Sequence, residues 1–156
     1  MSGKIDARLA ELGIELPTPA APAANYVPYT ISNNTVYISG QVTMWDGALK
    51  YVGCVGEDLT ADDGYQAARI CGLNLLAQLR AACDGDLDRV TRVLKLGGFV
   101  NCPANYGDMP KVINGASDLM ADVFGSEIGA HARFAVGASS LPFGIATEVD
   151  GIFEIS

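Results

Sequence analysis

The sequence predicts an α/β fold of the α+β kind, a mixed sheet with two helices packed on one face, on three observations. Strand and helix periodicities follow one another in the order β-β-α-β-α-β-β behind a short helical arm. The longer helical pattern carries one apolar stripe, as packing on one side of a sheet requires. With 156 residues, 49% of them apolar, the chain can bury the core of one domain.

Each element has its own signal. Residues 3–13 read as a short amphipathic helix with Ile5, Leu9 and Leu12 on one stripe, and Gly13 stops it. Pro17, Pro19 and Pro22, set among Ala and Thr, make the next stretch an extended linker. Tyr29–Ser32 and Thr35–Ser39 form a β-hairpin around Asn33-Asn34, because Asn tolerates the positive φ of a two-residue turn. Residues 41–58, Gly-rich and holding the single Trp45, read as a loop with one short strand. Thr60 is the N-cap of a helix running to about Cys83, with Asp62 and Asp63 in its first turn and Ala68, Cys71, Leu75, Leu79 and Ala82 as its buried stripe. Val90 to Asn101 is a long strand in which Gly97-Gly98 mark a bulge or a close backbone approach. A second helix covers about Met109–Phe124. The strands Arg133–Ala138 and Ile145–Ile155 close the chain as a hairpin. Both helices cover one face, so the other is expected to be buried between subunits.

Composition narrows the function. Charged residues are 18% of the chain, below the roughly 25% of ordinary domains, which again points to oligomerisation. Ten basic against eighteen acidic residues give a net charge of -8, scattered and without a basic patch, so nucleic acid is not an expected partner. No apolar stretch approaches the roughly 20 residues that span a bilayer, and the first residues lack a signal-peptide core. The expectation is a cytoplasmic chain with no membrane partner. Cys54, Cys71, Cys83 and Cys102 make no CxxC pair and read as reduced packing residues.

The chemistry is limited by the inventory. One histidine, His131, leaves no two-His metal site, and no P-loop, G-x-S-x-G or G-x-G-x-x-G motif occurs. No metal or cofactor is expected, and His131, at a strand start, reads as structural. The last hairpin is different. With its turn at Leu141-Pro142, Arg133 would pair with Asp150 and Ala135 with Glu148, so that Arg133, Glu148 and Asp150 share one face. Such a triplet reads either as an internal ion pair at an interface or as a carboxylate-binding arginine beside a water-activating glutamate.

Tyr26, Ile38-Ser39-Gly40-Gln41, Asn114, His131-Ala132-Arg133, Leu141-Pro142 and Glu148-Val149-Asp150 resemble, in order and spacing, the Rid (RidA, YjgF, L-PSP) family. The resemblance covers residues 25–156 as a single domain, with residues 1–24 as a helical and Pro/Ala arm of a longer subgroup. It implies a chorismate-mutase-like fold, a homotrimer with clefts between subunits, and hydrolytic deamination of enamines and imines such as 2-aminoacrylate to 2-keto acids and ammonia. It assigns Arg133 to the substrate carboxylate, Glu148 to the attacking water and proton transfer, and Tyr26, Ser39, Gly40 and Asn114 to the pocket. Departures are Ala135 where a Cys is usual, Phe134 for a small residue, and Asp150 for the commoner Glu. The competing functions are a non-catalytic small-carboxylate binder and an endoribonuclease. Chorismate mutase is weaker, because only Arg133 offers the cation that a dicarboxylate needs.

Overall fold

The computed structural model describes residues 3–22 and 24–156. Its elements are α1 (Lys4–Glu11), β1 (Tyr29–Ser32), β2 (Thr35–Gln41), β3 (Met44–Trp45), β4 (Ala48–Leu49), α2 (Ala61–Ala82), β5 (Val90–Asn101), α3 (Met109–Ile128), β6 (Ala132–Ala138) and β7 (Thr147–Ile155). The sheet runs β1-β2-β7-β5-β6, with β3 and β4 as a separate small ribbon. Neighbouring strands are antiparallel except β5 and β6, which run parallel with α3 as the crossover. The fold is therefore a mixed sheet with α2 and α3 on one face.

Local rules explain most of the boundaries. Asn33 has φ +52° in the turn between β1 and β2. The Thr60 hydroxyl accepts from Asp63 N–H at 3.1 Å while the Asp63 carboxylate accepts from Thr60 N–H at 2.9 Å, a capping box that starts α2. Asp84 and Gly85, with φ +55° and +91°, end it. Ala68, Cys71, Leu75 and Leu79 are fully buried against the sheet residues Val36, Leu96, Val149 and Phe153. Each such large side chain contributes about 1.5–3 kcal/mol of burial. The arm helix α1 docks as well. Ile5 and Leu9 are buried, and the Asp88 carboxylate accepts from the N–H groups of Lys4 and Ile5 at 2.8 and 2.7 Å. Those two bonds hold the Asp88 carboxyl below its ordinary range.

Two expectations are corrected and one is narrowed to one of its two alternatives. The stretch 41–58 holds two short strands, β3 and β4, rather than one. Gly97-Gly98 is not a bulge: the register shifts lie between Val90 and Arg92 and between Val93 and Lys95. These glycines are instead sites of close approach, Gly97 crowded by Asp150 and Phe134 and Gly98 by Ile113 of α3. The second correction matters most. β6 and β7 do not pair, because β5 lies between them. Leu96 is opposite Arg133 on one side and Gly151 on the other, while Gly97 is opposite Phe134 and Asp150. Arg133 therefore projects from the helix-covered face, and Glu148 and Asp150 from the open one. The parallel β5–β6 pair uses α3 as its crossover connection, which a terminal hairpin would leave unused.

Candidate active site

The six residues singled out by sequence fall into two groups. Arg133 and Asn114 form the first. Asn114 lies one turn into α3, directly over edge strand β6, and its Oδ1 accepts from Arg133 Nη1 at 2.7 Å. The Ser117 hydroxyl accepts from the same nitrogen at 3.1 Å, and Pro110 O from Nη2 at 3.3 Å. All three acceptors are neutral, and none of the ion pairs among the described residues involves Arg133. Of the five guanidinium N–H donors, Nε–H and one on Nη2 have no partner among the described residues. The arginine is thus held in orientation while its charge and two donors remain available to an anion.

His131 supports this group from behind. Its Nδ1 lies 2.7 Å from Gly129 O and its Nε2 2.8 Å from Ser117 Oγ. A carbonyl only accepts, so Nδ1 donates there. In the neutral ring Nε2 then accepts from the Ser117 hydroxyl, whose oxygen receives Arg133. Ser117 was not legible as a site residue. Its signal was the spacing Asn114-x-x-Ser117, which puts two polar side chains one turn apart on an otherwise apolar helix face.

Tyr26, Ser39, Gly40 and Glu148 form the second group, around a cavity of about 330 Å³. Its position follows from a bulge in β2. Ile38 pairs with Gly151 and Gln41 with Val149, so Ser39-Gly40 hold one residue more than the strand opposite. The Glu148 carboxyl lies against Gly40, where a Cβ would fall 2.5 Å from Glu148 Oε1. A side chain at position 40 would push the Glu148 carboxyl out of this position. Burial, and then the negative charge of Asp150, push the Glu148 carboxyl above its ordinary range. Asp150 is raised too, by burial, against the lowering effect of the Gly97 N–H and of Lys95. Ser39 lines the cavity and has a second part as well. It donates its hydroxyl to Val27 O at 2.8 Å, which ties the segment before β1 to β2.

Two further residues on α2 complete this region and were missed. Asn74 is buried and donates to Val42 O and Met44 O at 3.3 and 2.8 Å. Gln78 is buried as well and lines the cavity. Asn74 and Gln78 lie four residues apart on the buried side of an apolar helix, a polar pair whose only reason to be there is to hold backbone. Glu148 is the one charged residue among the described cavity-lining residues. Arg133 is not among them: β6 and β7 are separated by β5, so their backbones stand roughly 10 Å apart and the two side chains leave opposite faces.

A mixed sheet with two helices on one face, a bulged Ser39-Gly40 under a glutamate and an arginine clamped by Asn114 define a class that sequence comparison identifies. Residues 6–150 match the family described as "YjgF/chorismate mutase-like, putative endoribonuclease", and the chain belongs to this YjgF/L-PSP/Rid group. Among its relatives, protein TCP17 of Trypanosoma cruzi is 48% identical over 99% of this chain and 96% of its own length. The crystal structure of Atu1372 from Agrobacterium tumefaciens, of unknown function, is 48% identical, with a TM-score of 0.89 over 97% of this chain and 92% of that one. One from Shewanella oneidensis, named as an endoribonuclease, is 36% identical, with a TM-score of 0.93 over 98% and 100% of the two chains. No helix among the described residues is long and apolar enough to cross a membrane.

Proposed function

We infer that this chain hydrolyses imines, formed directly or from enamines, of 2-keto acids to the keto acid and ammonia, in sites composed by two copies of the chain. The single observation that carries this reading is the division of the site. Among the described residues, a carboxylate-ready arginine without an acidic partner lies on one face, and a cavity with one raised glutamate and no cation lies elsewhere. Each half lacks what the other has, and a neighbouring copy can supply it. The open face of the sheet favours such assembly, since Tyr37, Phe99 and Val136 are 47%, 37% and 41% exposed there. Three copies arranged cyclically would give three equivalent sites.

The chemistry then follows from the residues. Arg133 takes the substrate carboxylate with its free N–H donors. The protonated imine nitrogen lies toward Glu148, whose cavity favours a cation. Glu148, deprotonated, takes a proton as water attacks the C=N carbon, which forms a carbinolamine. It returns that proton to the nitrogen. The C–N bond then breaks as C=O forms; Glu148, deprotonated again, takes the hydroxyl proton and passes it to the departing ammonia, which leaves as ammonium. The protonated imine is itself the electrophile, so Glu148 and water complete the proton balance.

The test uses an imine released by an amino-acid oxidase. The protein should accelerate ammonia and keto-acid appearance, and Arg133→Ala and Glu148→Gln should each abolish most of it. Co-refolding the two inactive variants should restore about a quarter of the activity, because random assembly reunites an intact arginine with an intact glutamate in that share of sites. No recovery in a mixed oligomer would show that both groups act from one chain. Saturable keto-acid binding without turnover would leave a carboxylate-binding protein. The endoribonuclease name of the family and of the Shewanella relative supports a second reading. It predicts RNA cleavage that co-purifies with the protein to constant specific activity.

A further inference from the structure

The segment that leads into β1 forms one wall of the Glu148 cavity, through Ala20, Ala21, Pro22 and Ala24. It is fastened at both ends. Gln78, 2% exposed on α2, donates Nε2 to Ala20 O at 2.9 Å. At the other end the Ser39 hydroxyl reaches Val27 O at 2.8 Å and the Ser39 N–H reaches Pro28 O at 2.9 Å. Proline at 22 and 28 narrows the conformations open to the stretch between the clamps and so lowers the entropy lost in holding it. A buried amide spent on the carbonyl of a surface segment has a structural purpose, since an unpaired Gln78 would cost about 1–3 kcal/mol.

The wall is small and apolar, and Val42 and Met44 line the cavity with it. A carboxylate placed here would meet Glu148 with no cation to offset it, while an alkyl group would lose only water. The acid end of a ligand therefore belongs at the mouth and its side chain beneath the arm. At about 330 Å³ the cavity stands at the lower end of the roughly 300–1,000 Å³ of small-molecule sites.

We propose that the arm is the specificity wall of this site, selecting 2-imino acids with an alkyl side chain of about two to three carbons over the one-carbon side chain of the smallest substrate. The proposal rests on the imine-hydrolase reading above for its reaction, but the wall can be tested without it. Imines of 2-oxopropanoate, 2-oxobutanoate and 2-oxopentanoate are the probes. In the unaltered protein kcat/KM rises about three- to fourfold per added methylene, so the longest exceeds the shortest by about tenfold. Ala20→Leu fills the space under the arm, and Gln78→Met removes the clamp while keeping its bulk. Each brings the long-to-short ratio to about one or below.

Calorimetry with the three oxo acids provides the independent arm. If no imine is hydrolysed but affinity still rises with chain length and Ala20→Leu abolishes the rise, the wall stands and the hydrolase reading falls. If imines are hydrolysed in an Arg133-dependent way with no chain-length dependence, or if both variants keep the unaltered ratio, the wall is overturned and the hydrolase reading stands. Absence of both hydrolysis and oxo-acid binding overturns the two together.

Discussion

The two halves of the candidate site handle charge in opposite ways. Arg133 is surrounded by neutral acceptors on α3, so its charge is oriented but not neutralised. Glu148 stands half-buried beside a second carboxylate, Asp150, with burial and repulsion both favouring its protonated form. The first arrangement leaves the charge of a binding group without a counter-charge; the second makes a proton easier to take up. Neither does chemistry alone, and the fold puts them on opposite faces of one sheet. Under the proposed function that separation makes assembly part of the reaction, because a ligand that touches both groups would lie at a seam between copies.

The largest effect expected from breaking this comparison is at the arginine. Arg133→Ala should lower kcat/KM for imine hydrolysis by about 10³-fold, and Arg133→Lys by about 10²-fold, since an ammonium cannot reproduce the fork. Full activity in Arg133→Lys would mean that charge alone matters there, and equal losses in the two variants that only the fork does. Next, Glu148→Gln should lower kcat by about 10²-fold or more while raising the melting temperature at pH 7 by about 2 °C. The stability sign follows from the raised carboxyl: its ionised form is disfavoured in the folded chain, so stability is fullest below the unfolded value and declines as pH rises through the folded one. A variant that loses both rate and stability would make Glu148 a structural group.

Gly40→Ala should cost about tenfold in kcat, because its Cβ displaces the carboxyl, with KM changed much less. A matching KM change would point instead to general damage of the cavity. Asp150→Asn should move the acidic limb of the pH profile downward, since it removes the negative neighbour that raises Glu148; an unmoved limb would assign that limb to another group. The smallest effect concerns thiols. Cys71 is buried and pushed up to about 12, mainly by desolvation. Its contribution to stability is therefore present below the ordinary thiol range and lost only as pH rises through about 12. In the folded protein, slow alkylation at pH 8 should occur at the half-exposed Cys54 before Cys71, Cys83 or Cys102, as mass spectrometry can read.

Much of this was legible along the chain. The Thr60 cap, the Asn33-Asn34 turn and the Gly85 stop are local devices, settled within a few residues, and they fell where the pattern put them. The family resemblance likewise rested on ordered short segments. The error at β6 and β7 was of another kind. Two apolar strands with Leu141-Pro142 between them look like a hairpin locally. Insertion of β5 between them depends on a pairing that joins Gly97 to both Phe134 and Asp150, far apart in sequence. Nothing in residues 130–156 encodes that neighbour.

The sequence by itself determined the elements, the residue types available for chemistry and the acidic balance, because backbone propensity, capping and composition act over one or two turns. Tertiary structure alone decided which face each side chain leaves from, that Ser39 fastens the arm, and that Gln78 carries it across the cavity. Those outcomes depend on strand order and on hydrogen bonds between distant segments. A slip of one residue or the exchange of one neighbour reverses them without changing any local signal.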